Sequence, residues 1–162
     1  MAVDPAITLA ILESEIAEMT PLARSYGWDV NPNLPSLKVV TNMRAHNGDV
    51  FIIEADFENY KEWPPFFEFI DPDSGARGVR RAYPQSTDSF FHSSGPCICA
   101  PFNRKAYKSV VDTGPHGDWG FGDWMTSKAN NYDWSRIRTI GDMLSVIQTR
   151  IAIPDLYRGR MQ

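Results

Sequence analysis

Thr139 opens a stretch that commits the chain to a helix needing a second layer to lie on. Thr139 is placed as an N-cap, Asp142 follows three residues later in a capping-box position, and Pro154 ends the run. Between them Ile140, Met143, Leu144, Ile147 and Ile151 recur at helical spacing and make one apolar face. A one-sided helix must bury that face against other elements. The matching partner is 50–57, where Phe51, Ile53, Ala55 and Phe57 share one face of a strand and Glu54 and Asp56 take the other. Residues 37–44 supply a preceding strand, joined to it by the hairpin signal His46, Asn47, Gly48, Asp49. A third strand, 66–70, follows Pro64 and Pro65.

At the other end, Asp4 and Pro5 form a helix opening, and Leu9, Leu12, Ile16 and Met19 carry the helix to about residue 19. Pro21, Gly27, Pro32 and Pro35 predict an irregular connector after it. The sum is an α+β fold: an N-terminal helix, an antiparallel meander of about four strands and a C-terminal helix packed on the sheet. The 162 residues fit one domain, 1–162. Two polar insertions are expected within it, at about 71–88 and 104–131. The second holds Gly114, Pro115, Gly117, Gly120 and Gly122 without periodicity, and a stretch that long is usually functional or mobile.

The formal charge of −4 disfavours nucleic acid and anionic membranes as partners and leaves proteins or small molecules. No apolar run approaches the roughly 20 residues of a membrane span, and Met1 to Asp4 lacks the positive start of a secretory signal, so a cytoplasmic location is expected. In that reducing setting Cys97 and Cys99 are free thiols, since two strand residues one apart are poorly placed for a disulfide. In a strand both would face the same side, with Ile98 opposite.

Several motifs resemble the ubiquitin-conjugating (UBC-like) superfamily. Gly48 through Phe57, followed by Tyr60 and Pro64-Pro65, is similar to that family's glycine-led second strand and its Tyr-Pro…Pro-Pro element. Phe91-His92 and then Gly95 to Cys99 resembles its aromatic-His and Gly-x-Ile-Cys segment. Trp134-Ser135, with Thr139-Ile140 at the family offset, resembles its last helix start. The likeness runs over roughly residues 5–154. Two departures mark a divergent form: His92 is followed by Ser93-Ser94 where the family has Pro-Asn, and 34 residues separate Cys99 from Trp134 where it has a short loop. Such divergence is similar to bacterial UBC-like proteins encoded beside ubiquitin-like modifiers, some in antiphage defence operons.

The resemblance implies a cysteine that accepts a ubiquitin-like protein as a thioester from an activating enzyme and passes it to an amine of a protein substrate. Cys99, preceded by Ile98, is the favoured nucleophile and Cys97 the alternative; thiols are strong enough for this exchange with little acid–base help. Arg104, Lys105 and Lys108 lie close enough in sequence to lower its pKa or else form a solvated basic face. Asn103, Ser93, Ser94 and His116 are candidate oxyanion donors. His92 is expected to shape the active-site turn, and His116 either approaches the cysteine or is a solvated loop histidine. Trp119 and Trp124, each behind an aspartate, form either a lid or docking knob or ordinary buried aromatics. Glu13 and Glu15 make the first helix acidic where relatives have a basic one, which implies a basic docking surface on the activating enzyme.

Two alternatives remain open. One is an inactive UBC-like binding module, consistent with the missing Pro-Asn. The other is a metal site built from Cys97, Cys99, His92 and His116, although Cys-x-Cys lacks the usual Cys-x-x-Cys zinc spacing. No soluble cofactor is implied, and the ending Tyr157 to Gln162, without Gly-Gly, is not that of a modifier.

Overall fold

A computed structural model describes residues 2–126 and 133–162 of the chain; residues 127–131 of the expected insertion lie outside them. The architecture is α+β. Helix α1 (Pro5–Tyr26) is followed by strands β1 (Asp29–Asn33), β2 (Lys38–Arg44), β3 (Val50–Asp56) and β4 (Phe66–Ile70), which pair antiparallel in the order β1-β2-β3-β4. Short strands β5 (Pro84–Ser86), β6 (Phe91–His92) and β7 (Cys97–Ile98) come next, then helix α2 (Ile140–Ala152) and β8 (Tyr157–Arg160). β6 pairs with β7 and β5 with β8.

The alternation read in β3 is the one that builds the sheet. Phe51, Ile53 and Ala55 face inward, opposite Met43, Thr41 and Val39 of β2, and Ile53 and Ala55 meet Phe69 and Phe67 of β4. α2 closes this layer with Ile140, Met143, Leu144, Ile147 and Ile151, all buried in the same core. Five such side chains contribute on the order of 10 kcal/mol of transfer free energy before chain entropy is subtracted. The capping box forms as read: Asp142 N donates to Thr139 Oγ1 at 3.2 Å, and Thr139 N donates to Asp142 Oδ2 at 3.0 Å. Gly141 lets α1 approach α2, since a Cβ there would meet Met19 Cβ at 3.0 Å.

Two expectations about the N-terminal third are corrected. α1 does not end near residue 19 but runs through Pro21, which lies exposed on its outer side, and stops at Gly27 in a left-handed cap that donates to Ala23 O and Arg24 O. Burial of Ala23 and Trp28 beyond the proline offsets the lost helical hydrogen bond. The expected connector also contains β1. Its sequence, Asp-Val-Asn-Pro-Asn, is polar and holds Pro32, a pattern tolerated on a sheet edge.

Glu15 is the main clasp between α1 and the rest. Its carboxylate, buried on the helix face that meets the core, accepts from Tyr60 Oη at 2.8 Å and from Ile140 N at 2.9 Å, and pairs with Lys61 Nζ at 2.5 Å. Lys61 and Asn59 both adopt positive φ around Tyr60, conformations that cost about 1 kcal/mol or more each and persist only where surroundings hold them. Here Trp124 Nε1 donates to Lys61 O at 3.2 Å and Lys61 Nζ donates to Arg138 O. Among the described residues no helix is long and apolar enough to cross a membrane.

Because Glu15→Ala leaves the Ile140 amide without its acceptor, the Tyr60 hydroxyl without its shortest partner and the Lys61 cation without its carboxylate, it is expected to lower unfolding free energy by about 2–4 kcal/mol. Glu13→Ala, on the exposed face, is expected to change it by less than about 0.5 kcal/mol. Urea midpoints of the two variants check this.

Candidate active site

Cys97 and Cys99 have different surroundings. Cys97 is 1% exposed and packs with Ala106 and Tyr107 in a small cluster flanked by Trp119 and Phe121. Cys99, one step past the end of β7, is half-buried, its N–H donating to Phe90 O at 2.7 Å. Its Sγ lies 2.8 Å from His116 Nε2. A contact across 17 residues of an irregular insertion needs a device to close it. The backbone supplies one: Tyr107 and His116 form a parallel bridge, with Lys108 N donating to His116 O and His116 N donating to Ala106 O, both at 3.0 Å.

Gly114 makes that closure possible. A Cβ on it would fall 2.6 Å from Tyr107 C and 2.7 Å from Tyr107 O, contacts with backbone that cannot move aside. Once closed, the loop is held by stacking: the His116 and Trp119 rings are parallel within 2° at 3.5 Å, and Trp119 meets Tyr107 edge-on at 5.5 Å. His116 Nδ1 faces Asp118 Oδ1 at 3.8 Å, an electrostatic contact longer than a hydrogen bond. The tautomer with its proton on Nδ1 leaves Nε2 to accept from the Cys99 thiol.

Burial decides the protonation of this pair. It pushes the Cys99 thiol up to about 11, and the Cys97 thiol, more enclosed and beside Cys99, up to about 12. Burial also lowers His116, an effect opposed by Asp118 and reinforced by nearby His92. The resting site is therefore a neutral thiol hydrogen-bonded to a neutral imidazole. Of the two alternatives for Arg104, Lys105 and Lys108, the solvated basic face fails for Arg104 and Lys105, which are buried, and lowering of the thiol is confined to the effect of Lys105 on Cys97. The Arg104 guanidinium lies over the rings of Trp63 and Phe66, Lys105 Nζ pairs with Glu68 and meets Tyr83 Oη, and Lys108 is exposed.

The other candidates fall into place around this pair. Asn103 does not serve as a donor at the sulfur: it is fully buried, its nitrogen donates to Ile98 O at 2.8 Å, and its oxygen accepts from Phe67 N and Lys105 N. It brackets the turn after the cysteine to β4. His92 is paired with Cys97 across the β6–β7 hairpin and close enough to His116 to influence it, while Ser93 and Ser94 are exposed in the connecting turn. Trp119 is the half-buried cover of the site. Trp124 does not project as a docking knob, being 2% exposed and stacked against Tyr60. Glu15 is buried and engaged by the clasp described above, and Glu13 alone of the two stays exposed.

Among the described residues no group of three or more His, Cys, Asp and Glu side chains converges in a way that could hold a metal ion, so the set Cys97, Cys99, His92 and His116 forms no ligand cage. The functional residues that sequence reading missed are Tyr107 and Gly114; the one available signal was the glycine before Pro115-His116.

Alkylation separates the two thiols. Iodoacetamide is expected to label Cys99 and not Cys97 in the folded protein, at a rate that climbs about tenfold per pH unit from pH 7 towards pH 11, because the thiolate is roughly one part in 10⁴ at neutrality. Mass mapping of the labelled peptide in Cys97→Ala and Cys99→Ala checks the assignment. No protein-family model matches the sequence, and none of the curated proteins compared with it matches.

Proposed function

We propose that this protein is a divergent bacterial ubiquitin-conjugating-like enzyme, a thioester carrier that accepts a ubiquitin-like protein from an activating enzyme on Cys99 and transfers it to an amine of a protein substrate. The observation that carries the reading is the Cys99–His116 contact: one thiol of two reaches the surface, and it reaches it against a base. Support also comes from the order of elements, an N-terminal helix, a four-stranded antiparallel meander, an extended cysteine segment and a capped C-terminal helix, in which the UBC-like motifs read from the sequence occur.

In the first half-reaction Cys99 Sγ attacks the incoming thioester carbonyl and its proton passes to His116 Nε2. The imidazolium then returns that proton to the departing thiolate of the donor. The chemistry needs no prosthetic group. Docking of the activating enzyme is assigned to α1, where exposed Ile7 and its neighbours Ala6, Ala10 and Ile11 line a groove of about 600 Å³ and Glu13 and Glu18 supply negative charge at the surface. The basic surface implied on the partner would meet Glu13 and Glu18, with Glu15 serving the fold.

The inactive-module alternative draws on one observation, the commitment of the Asn103 amide to backbone partners, which leaves the oxyanion without that donor. A nonreducing gel distinguishes the two. With an activating enzyme, its ubiquitin-like substrate and ATP, the carrier reading expects a thiol-sensitive adduct that is kept in Cys97→Ala and lost in Cys99→Ala. Adduct loss in Cys97→Ala alone would exchange the two cysteines, and no adduct in any form would leave the binding module.

A further inference from the structure

We infer that His116 is also the base for the second half-reaction, so that this carrier deprotonates its acceptor amine itself. The inference rests on the thioester reading above and adds to it the group that activates the acceptor. It starts from what an amine acceptor requires that an acceptor thiol does not. An acceptor thiol of ordinary pKa, about 8.5, is partly ionised near neutrality and attacks without a base. A lysine ammonium, with an ordinary pKa near 10.4, offers only about one free amine in 10³ at pH 7 and must lose a proton to attack.

The site holds an arrangement suited to that loss. His116 Nε2 stands 2.8 Å from Sγ, so when Sγ carries an acyl group the same nitrogen lies beside the carbonyl carbon that the acceptor approaches. The imidazole has no rotational slack: Trp119 stacks on it face to face, the Tyr107 bridge fixes its backbone, and Asp118 faces its other nitrogen. Its environment keeps it a free base at neutral pH, burial and His92 acting in that direction against Asp118. Asp118 itself is 83% exposed at the rim, where a carboxylate attracts an incoming ammonium. Cys97, the nearest other thiol, is enclosed and offers no surface for sulfur-to-sulfur relay.

The step balances. The acceptor ammonium gives one proton to His116 Nε2, which passes it to solvent; the free amine nitrogen then bonds to the thioester carbon and gives a second proton to Nε2, the carbon–sulfur bond breaks, Sγ leaves with the electron pair, and the imidazolium returns that second proton to it. Amide and free thiol are formed, with His116 neutral again. General-base assistance of this kind contributes about 10²–10⁴-fold.

The test uses the full chain and a small acyl donor. The 2-mercaptoethanesulfonate thioester of a short glycine-terminated peptide acylates Cys99 in wild type and in His116→Gln, the variant being given more time; the acyl-enzymes are desalted and mixed at pH 7 with Nα-acetyl-lysine or with hydroxylamine, whose nitrogen is already unprotonated. Mass spectrometry follows each product. The expected result is that His116→Gln slows transfer to lysine by about 100-fold or more but transfer to hydroxylamine by no more than about threefold. Equal slowing of both acceptors would reveal a merely structural role and overturn the inference, as would equal lysine rates or a wild-type acyl-enzyme that loses its peptide to water rather than to lysine. Failure of the wild-type protein to take up the peptide would instead contradict the thioester reading, a result distinct from charged enzymes indifferent to His116.

Discussion

The buried amide of Asn103 is the interaction on which the placement of the thiol depends. Its oxygen accepts from Phe67 N on β4 and from Lys105 N, and its nitrogen donates to Ile98 O on β7, so one side chain ties the last strand of the sheet to the segment bearing both cysteines. Arg104 N donating to Pro65 O adds a backbone tie at the same edge. Leaving any of these buried groups without a partner would cost about 1–3 kcal/mol, which is why a residue offering both donor and acceptor is needed there. From this bracket the chain leaves at Tyr107, loops, and returns at His116 to meet Cys99. The sheet thus fixes the sulfur and the insertion brings the base.

Low polarity around the pair has a chemical consequence. Burial raises the thiol and lowers the imidazole, and both shifts favour the uncharged combination over thiolate and imidazolium. A resting nucleophile of this kind is protected from adventitious electrophiles. In the proposed reaction it becomes reactive when a bound carbonyl lets the proton move to His116 as the new bond forms. Trp119 maintains the arrangement from the outer side and Cys97, packed against Tyr107, supports it from within.

Much of the scaffold was legible because its signals are local. The period-two pattern of 50–57, the His46 to Asp49 turn and the Thr139–Asp142 cap each lie within one element, and each appears in the structure where its residues place it. β1 was illegible since an edge strand needs no apolar face, and the length of α1 was misread because a proline on an exposed helix face is tolerable once the following turn is buried. Glu15 looked equivalent to Glu13; only the tertiary approach of Tyr60, Lys61 and Ile140 distinguishes the two. The site shows the same division. Cys99 and His116 could be named as candidates from residue type, but their meeting depends on Gly114 closing against Tyr107 and on the Trp119 stack, contacts with no periodic trace in sequence. Asn103 was named as an oxyanion candidate from its position after the cysteine; its bracing role was illegible because it depends on Phe67 of β4, 36 residues earlier in the chain.

The neutral Cys99–His116 pair is the claim from which the chemistry follows, and nitrogen-15 NMR of histidine-labelled protein measures it directly. His116, assigned by its loss in His116→Gln, is expected to titrate below the ordinary histidine value of 6.5, to hold its proton on Nδ1 at neutral pH, and to change both its shift and its midpoint when Cys99 is replaced by alanine. An imidazole with an ordinary midpoint, indifferent to the loss of the Cys99 sulfur, would contradict the account.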